Sequence, residues 1–121
     1  MHYSSLKAWQ AAHQLALEVA KATRLFPNHE RFELNSQLPR AAFSAAANLV
    51  GGQARYGSRE ALRFARIAAA SLLEKDYLLL FALESGYLSR DEHAWLTALR
   101  SRASRLVYRL ARSLQAEGAS R

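Results

Sequence analysis

Residues 61–83 read ALRFARIAAASLLEKDYLLLFAL, and this run decides the fold. It contains neither proline nor glycine. It predicts a helix that begins after Gly57, with Ser58 as N-cap, and ends at Gly86, which can adopt the left-handed conformation of a helix end. Seventeen of its 23 positions are apolar, whereas a helix in an isolated bundle needs roughly three or four in seven. We therefore expect a second face of this helix to be covered.

The stretch before this helix has a similar character. Residues 41–54 carry no charge, and the alanines between positions 41 and 47 form a small-residue surface that permits close approach of another backbone. A monomer rarely exposes a large contiguous apolar area. The sequence therefore predicts a homo-oligomer that associates through its second and third helices.

Glycine and proline residues divide the rest of the chain into further helical stretches. We predict four helices, over residues about 5–25, 36–54, 58–85 and 90–116. Helices of this length joined by short loops favour an all-α, antiparallel up-down-up-down four-helix bundle, in a single domain over residues 1–121.

Local patterns set the predicted helix ends. A Ser36 N-cap places Pro39 in the first turn of the second helix, where its missing N–H costs nothing; Asn35 is the alternative cap. Gly51-Gly52 is expected to end this helix. Ser89-Arg90-Asp91-Glu92 forms a capping box at the start of the fourth helix, and Gly118 marks its predicted end.

Composition narrows the class of protein. The chain has 121 residues, of which 50% are apolar and 22% charged, as in one ordinary folded domain. It has no cysteine, which excludes thiolate zinc sites, iron–sulfur clusters and disulfides. The start lacks the pattern of a signal peptide, and the most apolar run, residues 67–83, is interrupted by Glu74-Lys75-Asp76. We therefore expect a cytoplasmic protein that does not span a membrane.

The residues show no pattern typical of metal or enzymatic chemistry. The chain lacks the Glu-x-x-His spacing of di-iron bundles, a nucleophile elbow, a P-loop and a dinucleotide fingerprint. We predict no metal, no cofactor and no enzyme activity. Asn48, Ser71 and Glu74 are polar residues in apolar surroundings, and two interpretations stay open. They form a hydrogen-bonded network that fixes helix register or a subunit contact, or they line a buried pocket in which Glu74 is a general acid.

Charge points to a polyanionic partner. Lys and Arg number 17 against 10 Asp and Glu, for a net charge of +7, and fourteen of the 17 are Arg, which suits bidentate phosphate contacts. Four arginines of the last helix fall within about 80° of a helical wheel, and no acidic residue lies between Glu92 and Glu117. A second group surrounds the start of the third helix, with Tyr56 available to stack. We predict that RNA or DNA binds through both groups with little sequence preference. The eight residues are Arg55, Arg59, Arg63, Arg66, Arg102, Arg105, Arg109 and Arg112.

Two other partners fit the same arginines. If they serve solubility and local pairs such as Glu60 with Arg63, the protein is an oligomeric scaffold whose ligand is another protein. A basic amphipathic helix can also lie on an anionic membrane. We expect no membrane contact, because the last helix uses its apolar face within the bundle.

A set of motifs resembles a known family. In order, the motifs are Trp9 to Val19, Phe26-Pro27, Leu34 to Leu38, Arg40-Ala41-Ala42, Ser44, Asn48 with a following glycine, Arg63-Phe64, Ser71-x-x-Glu74 and Gly86-Tyr87-Leu88. Over about residues 6–115, their order and spacing resemble the four-helix-bundle proteins encoded in intervening sequences of bacterial 23S ribosomal RNA genes.

This resemblance implies an antiparallel four-helix bundle, a ring-like homopentamer and no enzymatic role. It also implies a fold shared with the accessory variability determinant proteins of diversity-generating retroelements, which are basic and bind nucleic acid and a reverse transcriptase. The sequence differs from the family pattern at Pro39, Ala46 and Gly51, where a basic residue, a proline and a glutamate are common. The missing glutamate argues against an interior acidic site, and Ala46 predicts a straighter second helix.

Overall fold

The structure is a computed structural model that describes residues 3–27, 34–53 and 57–119. Within these ranges a short 3-10 helix, Tyr3–Ser5, precedes four α-helices and no strand is present. The α-helices are α1 (Lys7–Thr23), α2 (Leu34–Gln53), α3 (Ser58–Glu84) and α4 (Arg90–Ala119). The all-α fold class is thus confirmed, and the predicted helix ends lie within three residues of those observed.

The two strongest local patterns produce the structures expected of them. At the start of α4 the Glu92 N–H donates to Ser89 Oγ at 3.0 Å, and the Ser89 N–H donates to Glu92 Oε1 at 2.8 Å, which is a complete capping box. At the end of α3, Gly86 has φ 83°. The Tyr87 N–H donates to the Ala82 carbonyl at 2.9 Å, as in a Schellman motif.

Three further glycines lie inside the last turn of a helix, one or two residues before its end. α2 continues through Gly51 and Gly52, and α4 continues through Gly118. A Cβ placed on Gly52 would lie 3.1 Å from Phe64 Cβ, and one on Gly51 would lie 3.1 Å from the Phe64 ring. A Cβ on Gly118 would lie 3.3 Å from Ser58 Oγ. These glycines therefore permit close helix packing, while α2 and α4 end within one or two residues of them, at Gln53 and Ala119, as predicted.

The start of α2 also differs from the prediction. The helix already includes Leu34, so Ser36 is not its N-cap and Pro39 lies beyond the first turn. Asn35 is helical as well, and its Nδ2 donates to the Pro27 carbonyl at 3.2 Å. This tertiary bond ties the start of α2 to the end of α1, which local cap preferences do not foresee.

The helices enclose one core. Contacts join α1 with α2, α2 with α3, α3 with α4 and α4 with α1. α3 and α4 run antiparallel, because Ser58 at the start of α3 meets Gly118 near the end of α4, and Asp76 meets Arg100 at mid-length. No described helix is both long and apolar enough to cross a membrane. The largest fully buried side chains are Leu15, Val19, Leu38, Leu72, Lys75, Leu79 and Val107.

Candidate nucleic-acid interface

Four of the predicted arginines form what we call the α4 basic stripe: Arg102, Arg105, Arg109 and Arg112. All four are exposed. Within the described part of the chain, none of them has a carboxylate at ion-pair distance. The opposite side of α4 carries Ala103 and Val107, which are fully buried in the core. The bundle therefore holds the stripe outward and leaves its guanidinium groups available to an external anion.

An exposed aromatic side chain that the charge pattern does not predict lies at the edge of this stripe. Tyr108 is 62% exposed, and the Arg112 Cζ lies over its ring, 5.9 Å from the centroid. The sequence did hold an indication, because Tyr108 lies three residues after Arg105 and four before Arg112, the spacing of neighbours on a helix surface. The stripe thus combines cations with one exposed π face.

The α3 basic stripe, Arg59, Arg63 and Arg66, lies on the first turns of α3, and all three residues are exposed. Arg63 is partly engaged by its own helix: its Nε lies 3.5 Å from Glu60 Oε1, and its guanidinium lies 4.9 Å from the Phe64 ring centroid. The pair of Glu60 with Arg63 is the one expected from the alternative interpretation, in which the arginines serve solubility and local ion pairs. Arg55 and Tyr56, which we also predicted to contribute, lie outside the described residues.

The fold brings the α3 basic stripe level with the second half of the α4 basic stripe. Ser58 meets Gly118 and Asp76 meets Arg100, so the antiparallel register places the first turns of α3 level with the last third of α4. Arg63 and Arg66 consequently lie at the height of Arg109 to Arg112. Four exposed arginines, Arg63, Arg66, Arg109 and Arg112, therefore lie at this level of the bundle.

The predicted polar cluster lies between α2 and α3, with Ser44 at its centre. Ser44 Oγ is 3.1 Å from Ser71 Oγ, and Asn48 Nδ2 donates to the Ser44 carbonyl at 2.8 Å and to its hydroxyl at 3.2 Å. Glu74 is exposed and lines the same open recess of about 390 Å³. The hypothesis of a buried pocket around Glu74 is therefore wrong for the single chain, because Glu74 is exposed. The neighbouring residue Lys75, not Glu74, lies on the side of α3 that faces the core.

Lys75 is the most unusual residue of the core. Its side chain is 0% exposed, and its Nζ has no hydrogen-bond partner among the described residues. Burial and, second, the nearby Arg100 guanidinium lower the pKa of Lys75 from 10.5 to about 7. By composition, Lys75 belongs only to the polar break Glu74-Lys75-Asp76 in an apolar run. Its position three residues after Leu72 and four before Leu79 was the overlooked indication of a core site.

Arg100 lies between this lysine and the surface. Its Nε is 3.2 Å from Asp76 Oδ1, close enough for an ion pair but without hydrogen-bond alignment. Its other nitrogens donate to Ser104 Oγ at 3.0 Å and Ser101 Oγ at 3.1 Å. Arg100 is thus occupied within the bundle, unlike the arginines of the α4 basic stripe.

The outer surface of α2 and α3 carries large hydrophobic side chains that the single chain leaves exposed. We call this surface the apolar face; it consists of Phe43, Ile67, Leu73, Tyr77, Leu80 and Phe81. Phe43 and Leu73 are both 69% exposed. Leu73, Tyr77 and Leu80 also line a recess of about 480 Å³. The second apolar face that the sequence predicted is therefore present on the chain.

The described residues contain no group of three or more His, Asp and Glu side chains placed to hold a metal ion. The surface carries exposed guanidinium groups on α3 and α4, an exposed aromatic ring beside those of α4, and an apolar face on α2 and α3. The guanidinium groups can bind phosphates, the aromatic ring can stack on a base, and the apolar face can bind apolar side chains.

Comparison with known proteins agrees with this architecture. A sequence model of the 23S rRNA-intervening sequence protein family matches residues 4–109. A solved structure of a protein of unknown function, from the S23 ribosomal protein family of Bacteroides thetaiotaomicron VPI-5482, is similar with a TM-score of 0.81 at 15% identity. The similarity covers 93% of this chain and 99% of that one, and at this identity it shows the fold alone. No curated protein matches. The match over most of the length confirms the resemblance seen in the sequence, and the chain belongs to the 23S rRNA-intervening sequence protein family.

Proposed function

We propose that the protein is a non-enzymatic, homo-oligomeric nucleic-acid-binding protein of the bacterial cytoplasm. The observation that carries the proposal is the α4 basic stripe, in which four exposed arginines on one helix face have no carboxylate partner in the described chain. Guanidinium groups form strong, charge-assisted hydrogen bonds with phosphate oxygens. The α3 basic stripe lies level with the second half of the α4 basic stripe and adds three exposed arginines.

Binding of this kind is electrostatic. Each neutralised phosphate releases counterions, which gives a slope of log affinity against log salt of about −0.9 per contact on duplex and about −0.7 on a single strand. Non-specific affinities of this type are about 10⁻⁴ to 10⁻⁶ M at physiological salt. An oligomer repeats the stripe, and simultaneous contacts by several copies raise the overall affinity.

The test is a salt titration of oligonucleotide binding, with Arg102, Arg105, Arg109 and Arg112 all replaced by Gln. We expect lower affinity and a slope flatter by about three to four units on duplex. The control replaces three exposed arginines outside both stripes, namely Arg24, Arg40 and Arg90. A slope that changes equally in the two variants, or in neither, contradicts a role for α4.

Self-association is proposed from the apolar face. A monomer that left Leu73, Tyr77 and Leu80 in water, where they line one recess, would expose an apolar patch of a kind that soluble monomers rarely expose. The family resemblance implies a pentamer, with a mass of about 68 kDa, five times the 13.5 kDa of the chain.

Light scattering tests the oligomer with a matched pair of variants. Leu73→Glu places a charge on the apolar face and is expected to give smaller species. Leu17→Glu alters a leucine that is 51% exposed on α1, away from that face, and should leave the mass unchanged. A monomeric wild-type protein overturns the proposal.

An oligomeric scaffold that binds another protein is the second candidate. It is favoured by the pairing of Arg63 with Glu60, which shows that part of the basic surface is satisfied locally. A mobility-shift assay at low salt separates the two candidates. The scaffold is favoured if neither RNA nor DNA is shifted while an acidic protein copurifies with the chain.

A further inference from the structure

We propose that α4 selects single-stranded nucleic acid, with one unpaired base stacked on the exposed ring of Tyr108. This inference rests on the proposed nucleic-acid binding and specifies the class of ligand. The inference is based on Tyr108. The arginines do not distinguish the two forms, because they can bind the phosphates of a duplex or of a single strand.

Tyr108 has no part in the core of the described chain. It is 62% exposed, whereas its neighbour Val107 is fully buried. A single exposed aromatic residue is ordinary on a protein surface and decides nothing by itself. Tyr108, however, lies on α4, outside the apolar face of α2 and α3, and at the edge of the α4 basic stripe, where Arg105 and Arg112 are its neighbours at three- and four-residue spacing.

The geometry suits a base. The Arg112 Cζ lies over the Tyr108 ring, 5.9 Å from its centroid, so a cation covers one side of an otherwise exposed π system. The remaining exposed face can accept a flat ring. From Arg102 to Arg112 the helix rises about 15 Å, so the stripe can contact several consecutive phosphates of one strand. A base near the middle of such a strand would lie at the height of Tyr108.

Stacking distinguishes single strands from duplexes. In a duplex both faces of each base are stacked on neighbouring pairs, so an external aromatic ring cannot reach them without unstacking. In a single strand the faces are available, and stacking on an aromatic side chain contributes a factor of about 5 to 100 in affinity per base. The arginines alone therefore bind both forms, and Tyr108 adds affinity for the unpaired form.

The experiment uses fluorescence anisotropy with three labelled ligands of equal length: oligothymidine, a DNA duplex, and an abasic phosphodeoxyribose strand that keeps the charge and lacks bases. The variants are Tyr108→Ala, Tyr108→Phe, which retains the ring, and the fourfold Arg→Gln variant of the α4 basic stripe. Circular dichroism and light scattering verify that each variant keeps the helix content and mass of the wild type.

We expect Tyr108→Ala to weaken oligothymidine binding about 5- to 100-fold, and to leave duplex and abasic-strand binding within about twofold. Tyr108→Phe should bind all three ligands like the wild type. The fourfold variant should lose affinity for all three.

Two outcomes overturn the inference while leaving the proposed function in place. One is unchanged oligothymidine binding by Tyr108→Ala. The other is an equal loss for all three ligands, which would show that the residue acts on the helix or its charge instead. If the wild type binds none of the ligands at low salt, the proposed function itself fails, and the inference fails with it.

Discussion

Replacing Lys75 by methionine is expected to stabilise the protein at neutral pH. The Lys75 side chain is fully buried without a hydrogen-bond partner in the described chain, and its pKa is lowered from 10.5 to about 7. One pKa unit corresponds to 1.36 kcal/mol. Folding at pH 7 must therefore neutralise a lysine that is charged in the unfolded chain, at a cost of about 4 kcal/mol. Methionine is also unbranched, fills similar space and carries no charge, so it should remove this cost.

The pH dependence follows from the same shift. Between pH 7 and pH 10.5 the unfolded chain binds more protons at Lys75 than the folded chain does, so the wild type gains stability as the pH rises. This gain is complete above the unfolded pKa of 10.5 and is lost entirely below about pH 7. The stability difference between Lys75→Met and wild type should therefore shrink from about 4 kcal/mol at pH 7 to about 2 kcal/mol near pH 9.

Other groups titrate in this range, so the quantity to measure is the difference between the two proteins. Urea unfolding followed by circular dichroism gives it, at one fixed protomer concentration because association contributes to stability. Lys7→Met is the matched control, since Lys7 is exposed on the first turn of α1. The control should change stability by less than about 0.5 kcal/mol, with no trend in pH. A destabilised Lys75→Met, or a difference that stays constant with pH, would refute a buried, neutral amine.

Two further substitutions test the helix ends. Ser89→Ala removes the hydroxyl that accepts a hydrogen bond from the Glu92 N–H at 3.0 Å. The free energy of unfolding, measured by urea titration, should fall by about 1 kcal/mol. Arg90→Ala, one residue away, is the control and should have a much smaller effect. Gly86→Ala forces a Cβ into a backbone with φ 83° but meets no atom within 4 Å, so strain alone should lower stability by about 1 kcal/mol. An unchanged thermal midpoint for Gly86→Ala would show that the end of α3 can relax into another conformation.

The sequence predicted those features whose cause is local. The capping box depends on two residues three positions apart, and Gly86 follows the last turn of a long apolar helix, so both could be recognised without knowledge of the fold. Gly52 and Gly118 could not, because their lack of a side chain matters only against Phe64 and Ser58, which are distant in sequence. Glycine can end a helix or let two helices approach, and only tertiary contacts decide between these roles.

The candidate site was predictable to a similar extent. The outward position of the α4 basic stripe follows from helical periodicity, since its residues and the buried Val107 lie on opposite sides of α4. The contribution of Tyr108 was not predicted, because the stripe was identified from its charged residues and tyrosine carries no charge at neutral pH. The position of Lys75 was misjudged for a related reason. Its charge groups it with Glu74 and Asp76 as a polar break in an apolar run. Its spacing of three residues from Leu72 and four from Leu79 places it on the core side of α3.

Apart from the contact of Arg112 with the Tyr108 ring, the described contacts show no stabilisation of the folded chain by the α4 basic stripe. Arg102, Arg105, Arg109 and Arg112 follow one another at spacings of three or four residues, so successive guanidinium groups are neighbours on the helix surface. Each such like-charge pair destabilises a helix by about 0.2–0.5 kcal/mol. The negative end of the helix dipole acts only within the last turn, beyond Arg112, and does not offset this repulsion. Bound phosphates would remove it, so the same charges that slightly destabilise the free helix favour the complex with a polyanion.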